Sequence, residues 1–277
     1  MTGEEGYTAK ARTHGAPARA RRSAVASCLC VLVVHFALLL PARAAEHVVS
    51  LNLCTDQLLV LLAPERVAAL SPLARDPALS FVAQPAMHLP VVRASAEAVL
   101  HLHPDLVLAA TYGAQTTLMV LEQEGTPVLR LDLPQDFEGI RRQTRLLAST
   151  LGVPERGTSL IAAMDATLDH LPHRPEPLHA LVWEPRGLTA GPGTLMDAVL
   201  RSAGLANDSD GRRVGLEALL RRPPDLLVVP AAPEFPSLAT DLLDHPALAG
   251  IRRRAIPPAL TICAGPFTAE AVALLTR

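Results

Sequence analysis

The segment Ser95–Ala110, SAEAVLHLHPDLVLAA, returns later in the chain as Gly215–Pro230, GLEALLRRPPDLLVVP. Glu97, Ala98, Leu100, Pro104, Asp105 and Leu106 recur as Glu217, Ala218, Leu220, Pro224, Asp225 and Leu226, at a constant offset of 120 and without a gap. Each copy runs from an acid through an apolar stretch to Pro-Asp and then to an apolar strand. Pro cannot continue a helix and biases its predecessor toward extended backbone. Each copy therefore reads as a helix feeding a strand, and the duplication asks for one fold unit built twice. The early acid of each copy suits the positive end of its helix, a purely structural reason for both glutamates.

The intervening sequence supports two α/β units. Residues 47–53 (HVVSLNL) predict a strand, followed by a helix over TDQLLVLLA that Thr55 or Asp56 can cap. A strand at RVAALS, a helix at SAEAVLHL capped by Ser95, a strand at DLVLAA, a helix at QTTLMVLEQEG stopped by Gly125 and a strand at PVLRLD continue the alternation. From Phe137 to Leu171 no strand pattern occurs. FEGIRRQTRLLASTLG and PERGTSLIAAMDATLDHL predict two helices, the second a long connector with Pro154 in its first turn. The alternation resumes with a strand at LHALVWEP and helices at GTLMDAVLRSAG and LEALLRR. A strand at DLLVVP, a helix at LATDLLDHP, a short strand near Ala255–Ile256 and a closing helix from Phe267 follow. Alternation at these lengths implies parallel βαβ units. The expected divisions are a leader at 1–44, an N-terminal α/β lobe at 45–135, a helical linker at 136–177 and a C-terminal α/β lobe at 178–277.

The leader follows the export pattern. Arg12, Arg19, Arg21 and Arg22 precede the apolar run Ala24–Leu40, and Ala42-Arg43-Ala44 offers a small-x-small cleavage site. An uncleaved anchor is the alternative, although the run is marginal for a span of about 20 residues. Arg21-Arg22 hints at twin-arginine export. Cleavage after Ala44 removes six of the 25 basic and two of the 27 acidic residues, leaving a net charge of −6. With no basic block and few aromatics, a nucleic-acid partner is not expected. Cys54 and Cys263 alone remain of four cysteines. In an exported chain they can form a disulfide, stay as thiols or touch a ligand.

Catalytic signatures are missing: there is no G-x-S-x-G, no GxGxxG after the first strand, no P-loop and no H-E-x-x-H. The ten histidines are scattered and do not suggest a zinc site. In a two-lobe α/β protein, ligands meet the loops at the carboxyl ends of strands. Those loops supply Asn52, Cys54, Arg75, Tyr112, Trp183, Arg186, Gly191, Gly193 and Cys263 as candidate contacts. TAGPGT, ahead of a helix that Thr194 can cap, could hold an anion on backbone N–H groups. Trp183 is the sole tryptophan and equally suits core packing. Aromatics at 3% exclude an aromatic-cage pocket.

Three stretches, VVSLNLCTDQLLVLLAPERVAALS, HPDLVLAATYGAQTTLMVLEQEGTPVLRLD and WEPRGLTAGPGTLMDAVLRSAGLAND, together resemble the periplasmic substrate-binding proteins of ABC importers for cobalamin, iron-siderophores and haem. The resemblance spans the mature chain. It implies two Rossmann-like lobes bridged by one rigid helix, little hinge closure, a metal-chelate ligand in the cleft between lobes, a periplasmic location and no resident cofactor. It also implies a monomer that docks on a permease dimer in the inner membrane, with Glu97 and Glu217, one per lobe, pairing with permease arginines. Among ligands, a cobalamin-like corrinoid is favoured on the glutamate spacing and the aromatic-poor pocket. A ferric siderophore or haem is the alternative, and a secreted α/β enzyme a remote one.

Overall fold

The computed structural model describes residues 44–170, 176–231 and 241–277. The expected leader and much of the Pro172–Pro177 linker lie outside the described residues. The first unit is β1 (Val48–Ser50), α1 (Leu53–Leu62), β2 (Val67–Ala69), α2 (Ala83–Ala86), α3 (Ala96–Leu100), β3 (Leu106–Ala110), α4 (Gln115–Gln123) and β4 (Val128–Leu131). Its sheet is wholly parallel, in the order β2-β1-β3-β4. Two helices follow, α5 (Phe137–Thr150) and α6 (Pro154–Asp169). The second unit is β5 (Leu178–Val182), α7 (Leu195–Ser202), β6 (Leu205–Asn207), α8 (Leu216–Arg221), β7 (Leu226–Pro230), β8 (Arg253–Ile256) and α9 (Thr268–Thr276). Its sheet, β6-β5-β7-β8, is again parallel and has the same winding as the first.

Strands covered by helices on both faces must be apolar on both, and the side chains divide between the faces with period two. Val48, Leu106 and Leu108 pack with Leu58, Leu59 and Leu62 of α1 and Leu147 of α5. Val49, Val107 and Ala109 pack the other way, on Val99, Leu118 and Leu121. The second sheet repeats this, with Ala180, Val182 and Val228 toward α7 and α9, and Leu181, Trp183 and Leu227 toward Leu219.

The duplicated motif has a structural reason in each lobe. Val99 and its counterpart Leu219 are buried anchors of the two short helices. Asp105 accepts hydrogen bonds from the backbone N–H groups of Glu46 and His47, at 2.8 and 3.0 Å. Asp225 does the same for the N–H of His179 at 2.9 Å. Each acid thus bonds backbone donors at the head of the neighbouring parallel strand and ties the two strands together there.

Several details differ from expectation. The cap of α1 is Asn52, whose side chain accepts from the N–H groups of Cys54 and Thr55; Thr55 and Asp56 are buried one turn in and bond elsewhere. Strand β6 was not foreseen, because LAN is too short to show alternation. The helix expected at LATDLLDHP is a single tight turn over Asp241–Asp244 in its described part. Ser95 and Thr194 do cap their helices.

The 16-residue α6 spans about 24 Å. It packs on α5 and also on α9 of the second unit. Leu53, Phe137, Ile140 and Met164 share one core cluster with residues of the C-terminal sheet, so apolar packing runs without a break from one lobe to the other. The α5–α6 contact depends on Gly157, where an added Cβ would stand 2.5 Å from the Cβ of Ala148. Gly157→Val should therefore overpack this seam and cost about 1–3 kcal/mol, read as a lower urea midpoint; an unchanged midpoint would show that the helices can separate freely.

Candidate functional site

Cys54, in the first turn of α1 directly after β1, is disulfide-bonded to Cys263, which follows β8, with Cα atoms 5.1 Å apart. Beside the bond, Phe81 of the first lobe stacks on Phe267 of the second, centroids 4.7 Å apart and planes within 13°. These contacts bring the carboxyl ends of the two sheets to a common cleft, the location where open parallel sheets bind ligands. Both sulfurs are consumed by the bond, so neither cysteine is a thiol ligand for a bound metal. Among the described residues no three His, Cys, Asp or Glu side chains converge as a metal site.

The C-terminal wall of the cleft holds a cavity of about 380 Å³ at the ends of β5, β7 and β8. Val182, Met196, Val228, Ile256 and Ile262 give it an apolar surface, and Glu184 is its only ionisable lining among the described residues. Glu184 is exposed to the cleft, yet the protein around it desolvates the carboxyl and raises its pKa, with no neighbouring cation to oppose the shift. On the other wall, Tyr112 follows β3 and is 87% exposed. It sits on a tight turn through Gly113 (φ +89°) and Ala114 (φ +50°), pinned by the Gln115 amide donating to the Thr111 carbonyl at 2.8 Å. Leu73 and Ile262, also at strand ends, are exposed apolar side chains. Another cavity, about 420 Å³, lies between the edge strand β4 and α5 and is lined by charges of both signs, including Arg130, Asp132, Asp136 and Arg142. It lacks the apolar wall, so the cavity at the strand ends is the better site.

The residues named from the sequence separate into groups. Asn52 is occupied as the α1 cap, with Nδ2 buried and without a partner among the described residues. Arg75 donates from Nε and Nη2 to the carbonyls of Ala86 and Leu89, at 3.2 and 2.5 Å, which holds it on its own lobe. Trp183 is 1% exposed, donates to the Val214 carbonyl at 2.8 Å and belongs to the core. It does not line the cavity. Arg186 is exposed on the loop after β5 with φ +63°. Gly191 lies against Gly211, where a Cβ would come within 2.8 Å. The N–H of Gly193 donates to the Asp197 carboxylate at 3.0 Å. The anion cradle expected in TAGPGT is therefore already filled by the chain's own acid. Burial raises the Asp197 pKa, but hydrogen bonds from Asn207 and Gly193 and the charge of Arg201 outweigh it and lower the value. Glu184 escaped sequence reasoning although WEPRG stood among the candidate loops; its position at the end of β5 was the available signal.

Asp56 is a further buried acid at the N-terminal half of the cleft floor. It accepts from the Ser71 hydroxyl at 2.5 Å and the Ser71 N–H at 3.1 Å, tying the loop after β2 to α1. Glu97 and Glu217 are both exposed, in the first turns of α3 and α8, and neither forms an ion pair among the described residues.

The chain belongs to the periplasmic binding protein family, whose model matches residues 48–255. No curated protein sequence matches it. Among solved structures it is similar to the periplasmic haem-binding protein RhuT of Roseiflexus sp. RS-1 in apo form. That likeness has 25% identity and a TM-score of 0.66, over 84% of this chain and 97% of that one. The haem-binding protein HutB of Vibrio cholerae (17% identity, TM-score 0.70, 83% and 97% covered) shares the fold. So does the vitamin B12-binding protein BtuF of Vibrio cholerae (18% identity, TM-score 0.60, 84% and 95% covered).

Burial pushes the Asp56 carboxyl from 3.8 up to about 7, against the lowering effect of hydrogen bonds from Ser50 and Ser71. The folded state thus holds a proton that the unfolded chain releases. Its contribution to stability is full below about pH 4 and is lost as the pH rises to about 7. Asp56→Asn keeps an acceptor for the Ser71 N–H and removes the buried charge. Relative to wild type, the variant should gain stability as the pH rises from about 4 to about 7 in urea denaturation, with no further gain above; a difference that does not change with pH would show that Asp56 is ionised in the fold.

Proposed function

We propose that this chain is the extracytoplasmic solute-binding component of an ABC importer, which captures a metal chelate in its cleft and delivers it to a permease dimer. The observation that carries this reading is the cleft itself: two parallel sheets present their carboxyl ends to one another across an apolar wall. A ligand with a broad apolar face suits that surface, and haem, vitamin B12 and iron are the ligands for which the similar proteins are named. Among the described residues the site has a recognition surface and no nucleophile-base pair, so we read it as a binder and not a catalyst. A corrinoid is the favoured ligand. Tyr112 supports a second reading, since an exposed phenol can ligate the iron of a haem.

Delivery requires docking. Glu97 and Glu217 stand at equivalent places in two lobes of identical winding, and a duplicated contact is what a two-fold permease dimer can engage. Spectral titration of the mature protein with cyanocobalamin, haemin and a ferric siderophore should give saturable binding of at least one; binding of none would refute chelate capture. Glu97→Ala and Glu217→Ala should leave that affinity unchanged and shift unfolding by only tenths of a kcal/mol. Each should weaken binding to the permease by about 2–5 kcal/mol, because an arginine is left unpaired there. Loss of ligand affinity with normal permease binding would make them pocket residues instead.

A further inference from the structure

We propose that Glu184 makes the cleft select chelates whose rim presents N–H donors, such as the amide side chains of a corrinoid, over chelates whose rim presents carboxylates, as in haem. This inference rests on the chelate-binding reading above and concerns which member of that class is held.

The selectivity follows from where charge stands on the C-terminal wall. The cavity offers an apolar surface through Val182, Met196, Val228 and Ile256, which any macrocycle face can cover. Its single ionisable lining among the described residues is an acid. The Glu184 backbone is fixed: its N–H donates to the Leu188 carbonyl at 2.8 Å, and its carbonyl accepts from the Gly187 N–H at 3.0 Å. Gly187 cannot shift easily, since it has φ +72° and lies where a Cβ would meet the Val214 carbonyl at 2.4 Å. The backbone that carries Glu184 is therefore set at the rim of the cavity, where its exposed carboxyl can reach a ligand.

Among the described residues, the charged and N–H groups near these loops that could receive an anionic rim are occupied or do not line the cavity. The N–H of Gly193 is taken by Asp197. Arg75 bonds two backbone carbonyls of the first lobe and does not line this cavity. Arg186, on the same loop as Glu184, neither lines the cavity nor pairs with it. A ligand carboxylate placed here meets a like charge in a partly desolvated setting, whereas a primary amide supplies the donor that Glu184 lacks. A hydrogen bond to a charged acceptor is worth more than a neutral one. The desolvation that raises the Glu184 pKa acts in the same sense, because a carboxylate short of water gains most from a ligand donor.

The test uses the mature protein and Glu184→Gln, an exposed substitution whose folding is checked by circular dichroism. Affinities are measured for cyanocobalamin, haemin and haemin dimethyl ester, whose carboxylates are masked. Wild type should bind cyanocobalamin more tightly than haemin. Glu184→Gln should weaken cyanocobalamin about tenfold or more and tighten haemin, while the dimethyl ester binds both proteins alike. Wild type preferring haemin, or a variant that leaves the ratio unchanged, overturns the selectivity alone. Wild type binding neither chelate but taking up a ferric siderophore also overturns the selectivity alone, whereas binding none of the three overturns the chelate reading, and the selectivity with it.

Discussion

The bond between Cys54 and Cys263 ties together residues 209 apart in sequence, one from each lobe, at the floor of the cleft. By the chain-entropy account, closing so long a loop removes freedom from the unfolded chain worth about 5 kcal/mol. The apolar junction around it is independent support: Phe81 on Phe267, and Leu53, Phe137, Ile140 and Met164 in one core with the second sheet. The chain itself crosses between lobes through α5 and α6, so the disulfide is a second covalent crossing. Two crossings and a shared core leave little freedom for the lobes to hinge. The cleft is then a surface of set width, and ligand binding need not spend its energy on ordering it.

Within that frame the two lobes contribute different chemistry. The duplicated winding places strand ends at equivalent points, but the residues on them diverge. The first lobe presents an exposed phenol, Tyr112, and keeps Asp56 buried under the loop after β2. The second presents an apolar cavity with Glu184 at its rim. The motif that repeats is the part that builds the lobe: Val99 and Leu219 as anchors, Asp105 and Asp225 at the strand heads. Glu97 and Glu217 repeat too, although neither is buried nor paired among the described residues, so packing does not account for them.

The architecture was largely legible because it rests on local signals that point the same way. Ser95 and Thr194 as caps, Gly125 and Gly152 as helix ends and Pro154 as a helix start all act within a few residues of themselves. Strand β6 was missed because three residues carry no period. The site was less legible, since its features depend on what meets across the lobes. Spacing left the two cysteines free to be a bridge, thiols or ligand contacts. Arg75, Asn52 and Gly193 stood in the right loops but are engaged by Ala86, Cys54 and Asp197, partners that only the fold reveals. Trp183 could equally line a cleft or fill a core, and its indole N–H found a buried carbonyl. Glu184 carries no motif; it stands out only because no other ionisable group lines its cavity among the described residues.

The fixed cleft is tested most directly by peptide mapping of the unreduced mature protein with a thiol-alkylating reagent present during unfolding. The account predicts one cross-linked peptide pair containing Cys54 and Cys263, resolved only after reduction, and no alkylated cysteine before it. Two alkylated thiols, with no cross-linked pair, would contradict a cleft whose walls are held by that bond.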